Sequence, residues 1–89
     1  MKAIVTVLGK DRVGIIATVC TYLSDRGANV VEISQTVVGG YFDMLMIIDI
    51  DNITCKIGEL AGGLEEVGTE LGMIIRFQRE EIFESMHRI

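Results

Sequence analysis

The sequence predicts an α+β fold whose elements follow one another in the order β-α-β-β-α-β. Hydrophobic residues make up 49% of the chain and charged residues 24%, which is the balance of a folded globular protein and not of a disordered one. Short runs rich in β-branched residues alternate with two segments whose apolar residues recur every three or four positions. Ten glycines and no proline leave the turns between these segments to Gly, Asn and Asp.

The length of 89 residues predicts a single domain over residues 1–89, because a domain usually takes roughly 100–200 residues. No apolar run approaches the ~20 residues of a membrane span, and the start of the chain does not resemble a secretory signal. Cys20 and Cys55 form neither a C-x-x-C pair nor a metal-binding spacing. We therefore expect a cytoplasmic protein with reduced cysteines, no membrane contact and no metal.

The first strand and the first helix are predicted from a change of hydrophobic period near Gly14. Residues 3–8 are short and β-branched, as in a strand, and residues 9–14 form a loop. From Ile15 the apolar residues fall at helical spacing. They are Ile16, Val19, Cys20 and Leu23. Arg26 and Gly27 end this helix, because a cation and a glycine are favoured at helix C-termini.

The next two strands are predicted to form a hairpin around Gly39 and Gly40. Both glycines can take positive φ without steric cost, which the tightest hairpin turns require. Residues 29–38 alternate, with one face carrying Val31, Ile33 and Val37 and the other Glu32, Ser34 and Thr36. Residues 41–50 place Phe42, Met44, Met46, Ile48 and Ile50 on one face.

A second helix, a fourth strand and a tail helix complete the predicted order. Asp51 and Asn52 supply capping oxygens for the second helix, whose apolar stripe is Ile57, Leu60, Ala61, Leu64, Val67 and Leu71. Its four glycines, Gly58, Gly62, Gly63 and Gly68, each weaken a helix by up to ~1 kcal/mol relative to alanine. Residues 73–78 form the fourth strand. Residues 79–89 predict a short amphipathic helix with Ile82, Phe83, Met86 and Ile89 on one side, docked on its own domain or on a partner.

This order is that of the ferredoxin-like fold, a four-stranded antiparallel sheet with two helices on one face. The other face of the sheet stays open and carries a mixed set of side chains. They are Ile4, Thr6, Glu32, Ser34, Thr36, Asp43, Leu45 and Ile47. Such a mixture suggests partial burial, and the free edges of the sheet invite pairing. The sequence therefore predicts a homodimer.

Charge and residue types disfavour most activities of this fold. The net charge is −5 and no Lys/Arg cluster is present, so nucleic acid is not an expected partner. The first loop has no cysteine pair to carry a metal, and Arg12 alone does not make a phosphate cradle for a small hydrolase. His87 lies in the tail without a second catalytic group near it in sequence. We therefore expect no catalysis and no cofactor.

The most informative segment is the loop at residues 9–14. Gly14 stands at the first turn of the first helix, where the absence of a Cβ lets a ligand approach closely. The unpaired N–H groups of a helix start favour an anion such as a carboxylate. Asp11 offers a structural alternative, in which its own side chain caps the helix. Taken alone, the loop favours this capping role.

The same residues resemble a known family. The run at residues 11–17 (DRVGIIA), followed by Leu23, residues 27–30 (GANV) and residues 33–35 (ISQ), is similar to the ACT domain. The resemblance covers the whole chain. Residues 33–36, Tyr41, Phe42 and the closing residues 82–89 resemble a bacterial and archaeal group of small stand-alone ACT proteins. That group is similar in turn to the regulator of the glycine cleavage system.

The resemblance implies a regulatory domain that pairs with a second copy and binds an amino acid at the interface. By position, Asp11, Val13, Gly14 and Asn29 match the ligand-binding residues of the family. Val13 stands where a proline often precedes the glycine. The Asn29 amide both donates and accepts hydrogen bonds, which suits an amino acid. The expected function is a homodimeric amino-acid sensor; the alternative is an adaptor that assembles with another protein and binds no metabolite.

Overall fold

Four strands and two helices follow one another in the predicted order. The computed structural model describes residues 1–82. The bounds of the strands and helices are β1 Lys2–Lys10, α1 Ile15–Asp25, β2 Asn29–Val38, β3 Tyr41–Asp49, α2 Ile57–Leu71 and β4 Met73–Arg79. Neither of these helices is long and apolar enough to cross a membrane. A tail helix was predicted over residues 79–89, and residues 80–82 are helical. The rest of that segment, from Phe83 onwards and including His87, lies outside the described residues.

The strands form one antiparallel sheet in the order β2-β3-β1-β4, which confirms the predicted ferredoxin-like fold. β1 and β3 are central, and β2 and β4 are the two edges. Lys10 pairs with Tyr41, Val38 pairs with the same Tyr41, and Gly9 pairs with Met73. The β1–α1 loop, the β2–β3 hairpin and the start of β4 therefore meet at one end of the sheet.

The core lies between the sheet and the two helices. The inward residues of the two central strands are buried against the inward residues of α1 and α2. They are Ala3, Val5, Val7, Phe42, Met44, Met46 and Ile48 from the sheet, and Val19, Leu23, Leu60 and Leu64 from the helices. No polar or charged residue is buried among the described residues. Each large side chain here contributes roughly 1.5–3 kcal/mol, so the core determines which face of each element turns inward.

Tyr22 joins the two helices. Its hydroxyl donates a hydrogen bond to the carbonyl oxygen of Leu60 at 3.0 Å. The Arg26 guanidinium lies 3.8 Å from the centroid of the tyrosine ring and donates to the Tyr22 carbonyl oxygen at 3.1 Å. Burial raises the pKa of the Tyr22 hydroxyl, although the charge of Arg26 opposes the shift. The stacked cation thus packs along the ring and helps to end α1.

The bounds of β2 were predicted correctly, but the predicted alternation of its side chains is wrong in its first half. The β2–β3 register shifts between Val30 and Glu32, so Val31 has no partner on β3 and Val30 takes the inward position opposite Ile48. Such a bulge moves all following residues by one position. Ile33 and Val37 then face inward as predicted. Every residue of β2 except Val30 is nevertheless exposed, because the strand lies at the edge of the sheet.

The predicted cap of α2 is also wrong. The helix begins at Ile57, its N-cap is Lys56, and no side chain caps it. Asp51 is used elsewhere: its N–H donates to the Asp49 carboxylate at 2.9 Å, and its own carboxylate binds the ammonium group of Met1. The intervening segment is held by the Thr54 N–H, which donates to the Arg26 carbonyl oxygen at 2.9 Å. The connection therefore follows the end of α1 before α2 begins.

Packing explains two of the four glycines in α2, although glycine has a low helix propensity. A Cβ built at Gly68 would lie 2.7 Å from the carbonyl oxygen of Met73, and one at Gly63 would collide with the Tyr22 ring. Gly58 and Gly62 have no heavy atom within 4 Å of that position. The helix therefore accepts glycine where β4 and Tyr22 approach it most closely.

This contrast predicts opposite effects for two alanine substitutions in the same helix. Gly62→Ala should raise the free energy of unfolding by up to ~1 kcal/mol, because alanine loses less backbone entropy and meets nothing. Gly68→Ala should lower it by about 1–3 kcal/mol, because a main-chain oxygen cannot move aside cheaply. Urea unfolding of the two variants beside the parent measures both. A stabilising Gly68→Ala would contradict the packing described here.

Candidate functional site

The loop between β1 and α1 is held from both sides by hydrogen bonds. The backbone N–H of Asp11 donates to the carbonyl oxygen of Gly40 in the hairpin at 2.9 Å. The Arg12 side chain donates from Nη1 to the carbonyl oxygen of Leu71, at the end of α2, at 3.2 Å. The loop therefore has a defined place between the hairpin and the second helix.

Helix α1 begins without a side-chain cap. Its N-cap is Gly14, with φ +91° and ψ 2°, and no side-chain oxygen bonds to the first turn. The prediction that Asp11 caps this helix is therefore wrong. Glycine occupies the capping position, in a left-handed conformation that other residues rarely adopt. The first helical bond runs from the Thr18 N–H to the Gly14 carbonyl oxygen at 2.9 Å. The N–H groups that precede Thr18 in the helix have no intrahelical acceptor.

A cavity of about 500 Å³ opens beside this helix start. It lies between the loop and first turn of α1 on one side and the second half of β2 on the other. Its lining residues are Asp11, Arg12, Gly14, Ile15, Ile16, Ala17, Gln35, Thr36, Val37 and Phe42. The volume is that of a site for a small organic molecule.

The lining has a charged end and an apolar wall. Asp11 and Arg12 bring one carboxylate and one guanidinium to the loop side, next to the free N–H groups of α1. The Gln35 amide adds a donor and an acceptor on the β2 side. The apolar lining residues are Val37 and Phe42 on the sheet side and Ile15, Ile16 and Ala17 on the helix side. The arrangement can bind both charges of a zwitterion and an uncharged group between them.

The four residues predicted for the site are placed differently from one another. Asp11 and Gly14 line the cavity. Val13 lies in the same loop with 96% of its surface exposed and is not among the lining residues. Asn29 pairs with Asp49 at the far end of β2, nine residues and roughly 30 Å of extended strand from the hairpin. One chain therefore does not bring Asn29 to the cavity.

Sequence reasoning missed the sheet side of the cavity, which Gln35, Val37 and Phe42 form. The hairpin sequence could have predicted this side of the cavity. Two glycines at 39 and 40 fix the pairing of Val38 with Tyr41, and therefore of Val37 with Phe42 and of Gln35 with Met44. Counting back from the turn would have placed Gln35 on the inward face, beside the start of α1.

No group of three or more His, Cys, Asp or Glu side chains that could hold a metal ion occurs within residues 1–82. Cys20 and Cys55 are free thiols, each half-buried against the core.

Comparison with known proteins supports this fold. The chain is 57% identical over 88 residues to a UPF0237 protein of Bifidobacterium longum, a match that covers 99% of this chain and 98% of that protein. An ACT domain protein from Streptococcus pneumoniae has the same fold with a TM-score of 0.82 and 39% identity, over 94% of both chains.

A more distant structure, described as a glycine cleavage system transcriptional repressor, has a TM-score of 0.78 and 24% identity, over 88% of this chain and 44% of that one. At this identity the likeness concerns the fold alone. The family model of the ACT domain matches residues 2–78, from the first residue of β1 almost to the end of β4. The chain therefore belongs to the ACT domain family, whose members are regulatory ligand-binding domains.

Proposed function

We propose that this protein is a sensor that binds an α-amino acid as a homodimer and catalyses no reaction. The observation that carries the proposal is the cavity beside α1. It combines a carboxylate, a guanidinium and uncapped helix N–H groups with an apolar wall. An α-amino acid carries the complementary set: a carboxylate, an ammonium group and a side chain.

The charges of the cavity orient the ligand. Its carboxylate lies at the start of α1, where the N–H groups and the helix dipole favour negative charge. Arg12 binds the same carboxylate, because only one of its five donors is used by the Leu71 carbonyl oxygen. The ammonium group faces Asp11. The ligand side chain then lies against Val37 and Phe42, which favours a small or apolar amino acid.

The edge strand β2 supports a homodimer that completes this site. Ile33 and Val37 are large apolar residues that remain about half exposed on it, and its backbone edge faces solvent. Two copies of β2 that pair antiparallel about Ile33 place Asn29 of the partner subunit beside Val37, which lines the cavity. This is the cavity end of β2, so each site would receive an asparagine amide from the other subunit.

The family supports a regulatory and non-catalytic role. The curated relatives match this chain from end to end, and the repressor structure named above shares its fold. The free thiols suit the reducing cytoplasm, where we place the protein. The alternative function is an adaptor that recognises another protein through its exposed apolar residues, such as Ile74 and Val38, and binds no amino acid.

Thermal unfolding in the presence of each of the twenty amino acids tests the sensor. A ligand at 100 times its Kd should stabilise the native dimer by about 2.7 kcal/mol. Asp11→Asn should abolish this stabilisation without changing the melting temperature of the free protein, because the exposed side chain caps nothing. Asp25→Asn, at the other end of α1, is the matched control and should keep the response. If no amino acid raises the melting temperature, the adaptor replaces the sensor; a response that survives Asp11→Asn would overturn the assigned ammonium site.

The dimer is tested by a charge at the centre of the edge strand. Ile33→Lys should yield a particle with the mass of one chain in sedimentation at micromolar concentration, because two ammonium groups would meet at the two-fold axis. Thr21→Lys adds the same charge to the exposed face of α1 and should leave the dimer intact. A dimer that persists in Ile33→Lys would show that the subunits pair elsewhere.

Asn29→Ala tests the contribution of the partner subunit. It should weaken amino-acid binding about tenfold while the dimer persists, because the amide lost is one hydrogen-bonding group of the site. Calorimetric titration beside the parent protein measures this, with Asn52→Ala in an exposed turn as the control. Unchanged affinity would remove Asn29 from the site.

A further inference from the structure

The strand β4 forms the edge of the sheet opposite β2. It pairs with β1 from Met73 to Arg79 without a register shift, and it contains neither proline nor lysine. Within residues 1–82, no strand pairs with its outer side. Every second residue of β4 therefore turns a backbone N–H and C=O outward. A regular edge of this kind can accept a further strand.

A groove follows this edge between β4 and α2, and two small cavities lie side by side in it. The first has a volume of about 260 Å³ and is lined by Glu65 and Thr69 of α2 and by residues 73–76 of β4. The second has a volume of about 200 Å³ and is lined by Ala61 and Glu65 of α2 and by residues 75–78 of β4. Among the described residues, none from β1 lines either cavity. The groove therefore lies on the outer side of β4.

The two cavities are spaced like alternate side chains of a β-strand. Their β4 segments begin two residues apart, at Met73 and at Ile75, which is roughly 7 Å along an extended chain. A strand added to β4 would turn every second side chain toward α2, so that two of its side chains reach the two cavities. Each cavity is smaller than the roughly 300–1,000 Å³ of a typical small-molecule site. The groove therefore suits a peptide strand better than a metabolite.

The groove offers an added strand one charge on each face of the sheet. Glu65 lines both cavities from α2. Arg76 lies opposite Thr6 in the ladder and so turns its side chain to the open face. Neither side chain forms an ion pair with any residue in the described range 1–82. A strand with a basic side chain toward α2 and an acidic neighbour toward the open face would complement both charges.

The same charges argue against a second copy of this chain as the occupant. Two β4 strands that pair antiparallel about Arg76, the middle residue of the strand, would bring the two guanidinium groups together on the open face. The two α2 helices would meet on the other face, each with Glu65 toward the shared edge. Like charges placed opposite each other destabilise strand pairing. A chain that paired with copies at both β2 and β4 would also assemble without end.

We propose that the β4 edge binds an extended segment of a different protein, which adds a fifth strand to the sheet. This segment carries a lysine or arginine toward Glu65 and, next to it, an aspartate or glutamate toward Arg76. The site is three strand spacings, or roughly 14 Å, from β2. It does not depend on an amino acid in the cavity beside α1, because the two sites share no lining residue.

An NMR titration of the full-length protein with the acetylated peptide VTKEVT tests the pairing. In an extended chain this peptide places lysine and the two valines on one face and glutamate and the two threonines on the other. The amide resonances of residues 73–79 should shift, and those of β2 should stay in place. The same peptide with every backbone nitrogen methylated cannot donate hydrogen bonds and should shift none of them. Shifts confined to β2, equal shifts with the methylated peptide, or no shift at millimolar peptide would each overturn the proposal.

Two charge variants of α2 test the recognition of the basic residue. Glu65→Lys should weaken peptide binding at least about fivefold, because repulsion replaces attraction in the groove. Glu66→Lys is the matched control and should bind like the parent, because Glu66 lies on the α1 side, where its charge acts on the Tyr22 hydroxyl. Unchanged binding in Glu65→Lys, or an equal loss in both variants, would contradict the assigned contact.

Dilution of the protein without peptide tests the competing occupant. The amide resonances of residues 73–79 should not depend on protein concentration, because the β4 edge does not pair with a second copy. Resonances of β4 that move on dilution, together with particles larger than a dimer in sedimentation, would assign this edge to a second copy and overturn the proposal.

Discussion

The structure depends on the placing of β1 at the centre of the sheet. This strand pairs with β3 on one side and β4 on the other, and its inward residues Ala3, Val5 and Val7 are fully buried. Because both neighbours run antiparallel to it, the end of β1, the hairpin and the start of β4 must meet at one end of the sheet. The loop that follows β1 lies at this end, between Gly40 and Leu71. The cavity is therefore a consequence of topology before any lining side chain is considered.

The edge strand β2 has a different role. A ten-residue edge that exposes nearly all its side chains, including Ile33 and Val37, contributes little to the core of its own chain and invites pairing. The bulge after Val30 interrupts the regular edge near its start. The same strand forms one wall of the cavity. The proposed pairing and the proposed ligand site both use this one strand, which would link assembly to ligand binding.

The order of elements could be predicted from sequence because hydrophobic period and turn residues agree along most of the chain. Gly39 and Gly40 take positive φ as the hairpin prediction required, and Gly27 follows α1 as its expected stop. The errors arose where tertiary contacts override local signals. Asp51 had a better partner in the Met1 ammonium than in a helix start, and the bulge at Val31 cannot be recognised from alternation. In the loop, Asp11 and Gly14 could be found because their residue types suit a helix start; Gln35 required the strand register.

The start of α1 links these observations. A side-chain cap would stabilise the helix by only about a few tenths of a kcal/mol relative to glycine, and it would occupy N–H groups of the first turn, whose residues line the cavity. Gly14 instead reaches the required φ of +91° without a side chain, and the loop is positioned from outside by the Gly40 and Leu71 carbonyl oxygens. The helix therefore begins in a defined place with its donors free. The helix is held in this place by packing, since Ile15 and Val19 are buried in the core.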